Sequence, residues 1–179
     1  GVEQGAHESS FRPGSVAGTT VSRTVSPRSR SSACSRIATA AGAPPPLTLA
    51  TDLAADGRRA RDNGIPVVLL FSRAGCSWCD KARREHVNAM AASPAAGAVF
   101  RQVNLDRDEP LIDFAGQRST HRALARRHDV RMTPTLLFLD SAGRPLAEPI
   151  VGYRLPEFYG TLIEDAIEDS RARMQATRN

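Results

Sequence analysis

Lysine, cysteine and tryptophan are nearly absent from this 179-residue chain, which carries one lysine (Lys81), three cysteines and one tryptophan. No stretch approaches the ~18 consecutive apolar residues of a membrane-spanning helix, so no span is expected. No segment repeats at a fixed period. There is no second CxxC and no HxxxH pair. Beyond Cys76 and Cys79, a metal could draw only on Cys34, His7, His86, His121 and His128, a poor basis for the four-ligand set of a structural zinc. Asp106-Arg107-Asp108-Glu109 lacks the glycine and terminal glutamate of an EF-hand and reads as a solvated turn. A concentrated basic face is missing too. The net charge is +5, but residues 1–46 hold five arginines against Glu3 and Glu8, which leaves residues 47–179 nearly neutral. The densest basic cluster, Arg122, Arg126 and Arg127, is offset by Asp129 and has no interleaved aromatics. Nucleic-acid binding is therefore not expected.

What is present is the composition of a folded domain, with 41% hydrophobic and 24% charged residues, close to globular averages. Residues 1–46 are rich in Ser, Thr, Arg, Gly and Pro and end in Pro44-Pro45-Pro46. Such a segment buries too little apolar surface to offset its ordering entropy, so it reads as a disordered tail or leader remnant, with Cys34 a stray thiol. Residues 47–179 read as one domain. Thr51 or Asp52 can cap a helix through Arg61, and Gly64 can end it. Pro66-Val67-Val68-Leu69-Leu70-Phe71 is a continuous apolar run, the mark of a strand buried on both faces. Cys79, Ala82, His86, Val87 and Met90 share one face of a helix over residues 77–90. A strand is expected at 99–105, an irregular stretch at 106–119, and a short helix near 120–128 on which His121 and His128 are solvated or capping groups. Thr135–Leu139 predicts another strand, which turns at Ser141-Ala142-Gly143-Arg144 into a fourth at 146–151. Phe158, Leu162, Ile163 and Ala166 or Ile167 make the apolar stripe of a terminal helix starting near Pro156.

The chemistry lies in Cys76-Ser77-Trp78-Cys79, which stands where the buried strand feeds a helix. A CxxC in that context reads as a redox dithiol. The spacing brings the two sulfurs within disulfide range across the first helical turn. Unpaired N–H groups at the helix start favour a thiolate at the first cysteine, so Cys76 is the expected nucleophile and Cys79 the resolving thiol. The competing reading is that the dithiol captures a metal or cluster. A covalent haem would need histidine where Asp80 stands. Trp78 is either a substrate platform or a capping hydrophobe. His86 is either a structural histidine or a proton donor.

The order of strand, CxxC, helix, Thr133-Pro134-Thr135 opening the next strand, hairpin and terminal helix resembles the thioredoxin superfamily over about residues 50–172. More narrowly, Gly75-Cys76-Ser77-Trp78-Cys79, Val130-Arg131-Met132-Thr133-Pro134-Thr135, Asp140-Ser141-Ala142-Gly143 and Val151-Gly152-Tyr153 before Pro156-Glu157-Phe158 resemble exported bacterial proteins of the SoxW type. The resemblance implies an α/β thioredoxin fold, with a central mixed sheet flanked by helices. It implies a thiol-disulfide oxidoreductase that acts on protein or peptide disulfides, exchanges electrons with a redox partner protein, needs no cofactor and works in the periplasm. It implies a cis Pro134 against the dithiol and a Thr133 backbone that pairs with substrate; an ordinary trans proline at a strand start is the alternative. A different class of function also fits, a thioredoxin-like binding module using the dithiol for metal or the Pro134 groove for a partner. Cytosolic thioredoxins bury an acid in the strand before the first cysteine. Here Leu70 stands in its place, so Glu85, His86 or water would have to move the proton of Cys79.

Overall fold

Strand β1 (Val67–Ser72) is buried at every position, and the reason is that both of its faces are covered. The computed structural model describes Gly14 and residues 43–177. The tail expected over 1–46 thus lies outside the described residues except for Gly14 and 43–46, as do His7 and Cys34. Before β1 comes α1 (Leu53–Asn63), capped by Asp52, whose carboxylate accepts from the Ala55 N–H at 2.8 Å, and closed by Gly64 at φ 65°. Both signals were the expected ones, and the helix runs two residues past Arg61.

After β1 the chain forms α2 (Ser77–Ala82), a π-helical turn (Arg83–Val87), α3 (Asn88–Ala92) and β2 (Val99–Asn104). A small hairpin of β3 (Pro110–Ile112) and β4 (Arg118–Thr120) leads to α4 (His121–Arg127) and β5 (Thr135–Leu139). Strand β6 (Ile150–Val151), a 3₁₀ turn (Pro156–Phe158) and α5 (Tyr159–Ala176) complete the domain. The main sheet has the order β2-β1-β5-β6, with β1 parallel to β2 and antiparallel to β5. Alternation along the strands divides the core. Val67, Leu69, Phe71, Leu137 and Leu139 face Leu53 and Ala60 of α1 and Leu124 and Ala125 of α4. Val68, Leu70, Leu136 and Phe138 face Ala82, Val87 and, on α5, Tyr159, Ile163 and Ile167. This is a mixed sheet flanked by helices, as the resemblance implies.

Four local expectations need correction. The stretch over 106–119 is not wholly irregular, because β3 and β4 pair within it. Its turn is held by Asp113, whose Oδ1 accepts from the N–H groups of Ala115 (3.0 Å) and Gln117 (2.9 Å), while Oδ2 accepts from Arg127 Nη1 at 2.6 Å. The strand expected over 146–151 shrinks to Ile150–Val151, because Pro145 and Pro149 have no N–H to donate to a ladder. The helix expected over 77–90 contains a π turn and reaches Ala92. His121 is buried rather than solvated. Its Nδ1 accepts from the Asn104 N–H at 2.9 Å, so Nε2 carries the hydrogen and donates to the Ala50 carbonyl at 2.8 Å. Both ring nitrogens find partners, as a buried polar group requires.

Asp113 gives a pH-dependent prediction. Burial pushes its carboxyl up, but the hydrogen bonds from Arg127 and from the Gln117 and Ala115 N–H groups outweigh burial and hold it below its ordinary value. A group depressed in this way lends stability above its unfolded pKa of ~3.9 and loses it as pH falls through the folded value. Asp113→Ala should cost about 1–2 kcal/mol at pH 7. The gap from wild type, read from urea melts, should close below about pH 4; a gap that stays constant into acid would contradict the assignment.

Candidate active site

The loop from β1 to α2 is tied down before it reaches the first cysteine. The Ala74 N–H donates to Asp106 Oδ2 at 3.1 Å, and Gly75 turns at φ 69°. Cys76 then caps α2, its Sγ accepting from the Cys79 N–H at 3.2 Å. Cys76 and Cys79 form a disulfide with Cα atoms 5.2 Å apart. The pair is unequal in access, since Cys76 is half-buried and Cys79 fully buried. Only the Cys76 sulfur belongs to a residue with solvent access. That sulfur has a second donor in the Thr133 hydroxyl, 3.5 Å away. The Thr133–Pro134 peptide bond is cis, and the Pro134 carbonyl accepts from the Gly152 N–H at 2.8 Å. Among the described residues, no backbone hydrogen bond uses the Thr133 N–H or C=O.

An aromatic cluster lies on the other side of the turn. Trp78, 56% exposed, stacks on Tyr153 with ring centroids 6.1 Å apart and planes at 29°. Lys81 Nζ lies 5.8 Å from the Trp78 ring centre and 5.9 Å from that of Tyr153. The Tyr153 hydroxyl donates to Glu85 Oε2 at 2.5 Å and meets His86 Nε2 at 3.1 Å. Because the phenol hydrogen goes to Glu85, His86 Nε2 is the donor of the second bond. Burial first, then the hydrogen bond and charge of Glu85, push the Tyr153 phenol up to about 12. Burial also pushes the phenol of Tyr159 upward, and its hydroxyl has no protein partner among the described residues. The π turn helps to bring these groups together. Successive side chains of an α-helix project about 100° apart, and the wider turn narrows that angle so that two neighbouring residues reach one hydroxyl.

The expected site residues fall into two groups. Cys76, Cys79 and Thr133 are joined by direct contacts, Pro134 follows Thr133, and Trp78 lies between the cysteines. Glu85 and His86 instead spend their hydrogen bonds on Tyr153 and make none to either sulfur. Leu70, where an acid would serve as a relay, is fully buried among apolar neighbours. Sequence reasoning missed Tyr153 and Arg83 as participants. Arg83 pairs with Asp80 and donates to Ser72 Oγ (3.2 Å) and Gln102 Oε1 (2.7 Å), so it fastens the helix carrying the dithiol to the end of β1 and to β2. Tyr153 was present in the Val151-Gly152-Tyr153 signature, but nothing local linked it to Glu85.

A groove of about 350 Å³ is lined by Arg73, Leu105, Asp106, Arg131, Met132 and Thr133, and of these Thr133 touches the Cys76 sulfur. A second groove, between α3 and α5, is lined by Ala89, Ile167 and Arg171 among others and carries neither cysteine nor histidine. Among the described residues no group of three or more His, Cys, Asp or Glu side chains gathers as a metal cage, and no helix is long and apolar enough to cross a membrane.

Residues 53–167 match the family model described as a thioredoxin-like domain. Solved structures similar to the chain include a thioredoxin-fold protein from Helicobacter pylori, 18% identical, covering 65% of this chain and 86% of that one with a TM-score of 0.46. Thioredoxin O2 from Arabidopsis thaliana in its oxidised state is 17% identical, with coverage of 68% and 94% and a TM-score of 0.47. A thioredoxin from Fasciola hepatica is 19% identical, with coverage of 68% and 97% and a TM-score of 0.45. No curated protein matches the sequence.

Proposed function

The chain belongs to the thioredoxin-like domain family, and from that premise we propose that it is a thiol-disulfide oxidoreductase acting on protein or peptide disulfides. The observation that carries this reading is the unequal cysteine pair, one sulfur reachable and hydrogen-bonded by two donors, the other buried behind it. Donors aimed at a sulfur favour its thiolate, and the thiolate is the nucleophile. In the reduced protein the Cys76 thiolate attacks one sulfur of a substrate disulfide. A mixed disulfide forms, the substrate S–S bond breaks, and one substrate thiolate leaves. Cys79 then loses its proton and attacks the Cys76 sulfur, which closes the Cys76–Cys79 bond and releases the second substrate thiolate. Two electrons have passed to the substrate, and a redox partner protein must restore them. Run backwards, the same steps donate a disulfide. With Leu70 in place of an acid, and Glu85 and His86 engaged by Tyr153, we assign the Cys79 proton to water.

In this reading the Thr133 N–H and C=O, unused within the domain, pair with an extended substrate segment next to Pro134, and Trp78 forms one wall of its path. We extend the proposal to an exported setting, the periplasm, on the SoxW-type resemblance of the motifs and because disulfide substrates persist in oxidising compartments.

The test is the reduction potential of the pair, measured by equilibration in glutathione or dithiothreitol buffers with free thiols counted. Known dithiols of this kind span about −270 to −120 mV. A value near ~−250 mV marks a reductase fed by an electron donor, and one near ~−130 mV a disulfide donor. A pair that closes no intramolecular disulfide at any poise would overturn the reading.

A further inference from the structure

Trp78 is an exposed indole that is nevertheless held. Its ring rests on Tyr153, with Lys81 beside both. Tyr153 is in turn fixed from three directions. Its hydroxyl is shared by Glu85 and His86, and its ring packs against Tyr159 with centroids 4.6 Å apart. His86 lies over Tyr159 at 5.5 Å, directly against Gly160, where a Cβ would stand 3.1 Å from His86 Nδ1. A side chain at position 160 would press on the imidazole, which the glycine avoids. Gly152, at φ 78°, makes the turn that delivers Tyr153 to this position. Glycines, hydroxyl and acid thus converge on one aromatic ring that carries Trp78, one of the two residues between the cysteines.

An unsupported surface tryptophan samples several rotamers and loses that freedom when a substrate binds, a cost that preorganisation removes. We infer that Tyr153 is a positioning residue that holds Trp78 in a single orientation at the dithiol turn, so that an incoming substrate chain meets a wall already built. The inference rests on the disulfide-exchange reading and deepens it, because it names the residue that sets recognition through Trp78. The anchoring hydroxyl distinguishes this role from plain packing, which a phenylalanine would satisfy.

The chain's single tryptophan makes the test direct. In the full-length protein, Tyr153→Leu should shift and broaden Trp78 emission. It should raise KM for a reducible protein disulfide such as insulin by roughly tenfold, the scale of one lost aromatic pair, with the loss in KM rather than kcat. Tyr153→Phe keeps the stack but frees the ring from Glu85 and His86, so it should change both readouts in the same direction by less. Glu85→Gln still accepts the phenol hydrogen and should keep wild-type emission, whereas Glu85→Ala should shift it. In a Trp78→Leu background the KM effect of Tyr153→Leu should vanish, because two residues acting through one contact are not additive. If Tyr153→Leu fails to fold, Tyr153→Phe and the Glu85 pair decide. Wild-type emission in the Tyr153 variants, or a KM effect that survives in the Trp78→Leu background, would overturn the inference. A wild-type protein that turns over no disulfide would sink the exchange reading instead, and the emission measurements would still decide whether Tyr153 holds Trp78.

Discussion

Cys76→Ser should abolish disulfide turnover, a loss on the order of a thousandfold or more, while Cys79→Ser should halt the same reaction at its midpoint. The asymmetry follows from access. Cys79 is fully buried and Cys76 is not, so only Cys76 can receive a substrate sulfur. With Cys79 replaced, the mixed disulfide on Cys76 has no internal thiolate to displace it, and it should accumulate as a covalent adduct on a non-reducing gel. With Cys76 replaced, Cys79 has no route to the substrate and no adduct should form. Equal trapping by both variants would mean that the burial difference does not order the reaction, and turnover retained in Cys76→Ser would remove the proposed nucleophile altogether.

Gly57→Ala should destabilise the domain by roughly 2–3 kcal/mol, the cost of overpacking a close-fitted core. The direction runs against helix propensity, because Gly57 sits inside α1 and an alanine there would ordinarily gain about 1 kcal/mol. Packing decides the sign. A Cβ on Gly57 would lie 2.6 Å from the Ser141 carbonyl oxygen and 3.4 Å from Phe114 Cδ1, and a backbone carbonyl cannot swing aside as a side-chain end can. The midpoint of urea unfolding checks this, and a stabilised Gly57→Ala variant would show that the 141–143 turn yields freely. The same neighbourhood constrains Gly143, at φ 80° with the Phe114 ring against it.

These turns show where the sequence was legible and where it was not. Ser141-Ala142-Gly143-Arg144 was readable as a turn, yet Asp113-Phe114-Ala115-Gly116 repeats the spacing of Asp140-Ser141-Ala142-Gly143 and uses its aspartate in the same way. Asp140 Oδ1 accepts from the Ala142 and Arg144 N–H groups just as Asp113 Oδ1 accepts from those of Ala115 and Gln117. The second turn escaped notice because its flanking strands have three residues each, too few for alternation to register. The buried run of β1, the caps of α1 and the cysteine spacing were legible because each is a local signal. The burial of His121 depends on Ala50, 71 positions away, and the role of Tyr153 on Glu85, 68 positions away. Such pairings arise only once the sheet has brought distant segments together. The shortening of β6 was foreseeable, since Pro145 and Pro149 stood in the sequence as breaks in any ladder.

Lys81 rests beside the stacked rings of Trp78 and Tyr153, and it carries the only side-chain amine in the chain. Acylating or alkylating reagents selective for lysine side chains are therefore confined to one position, within a helical turn of the reactive pair. A dye coupled there would sit against the indole and travel with whatever Trp78 does as the dithiol opens and closes, making the unmodified sequence its own single-position sensor.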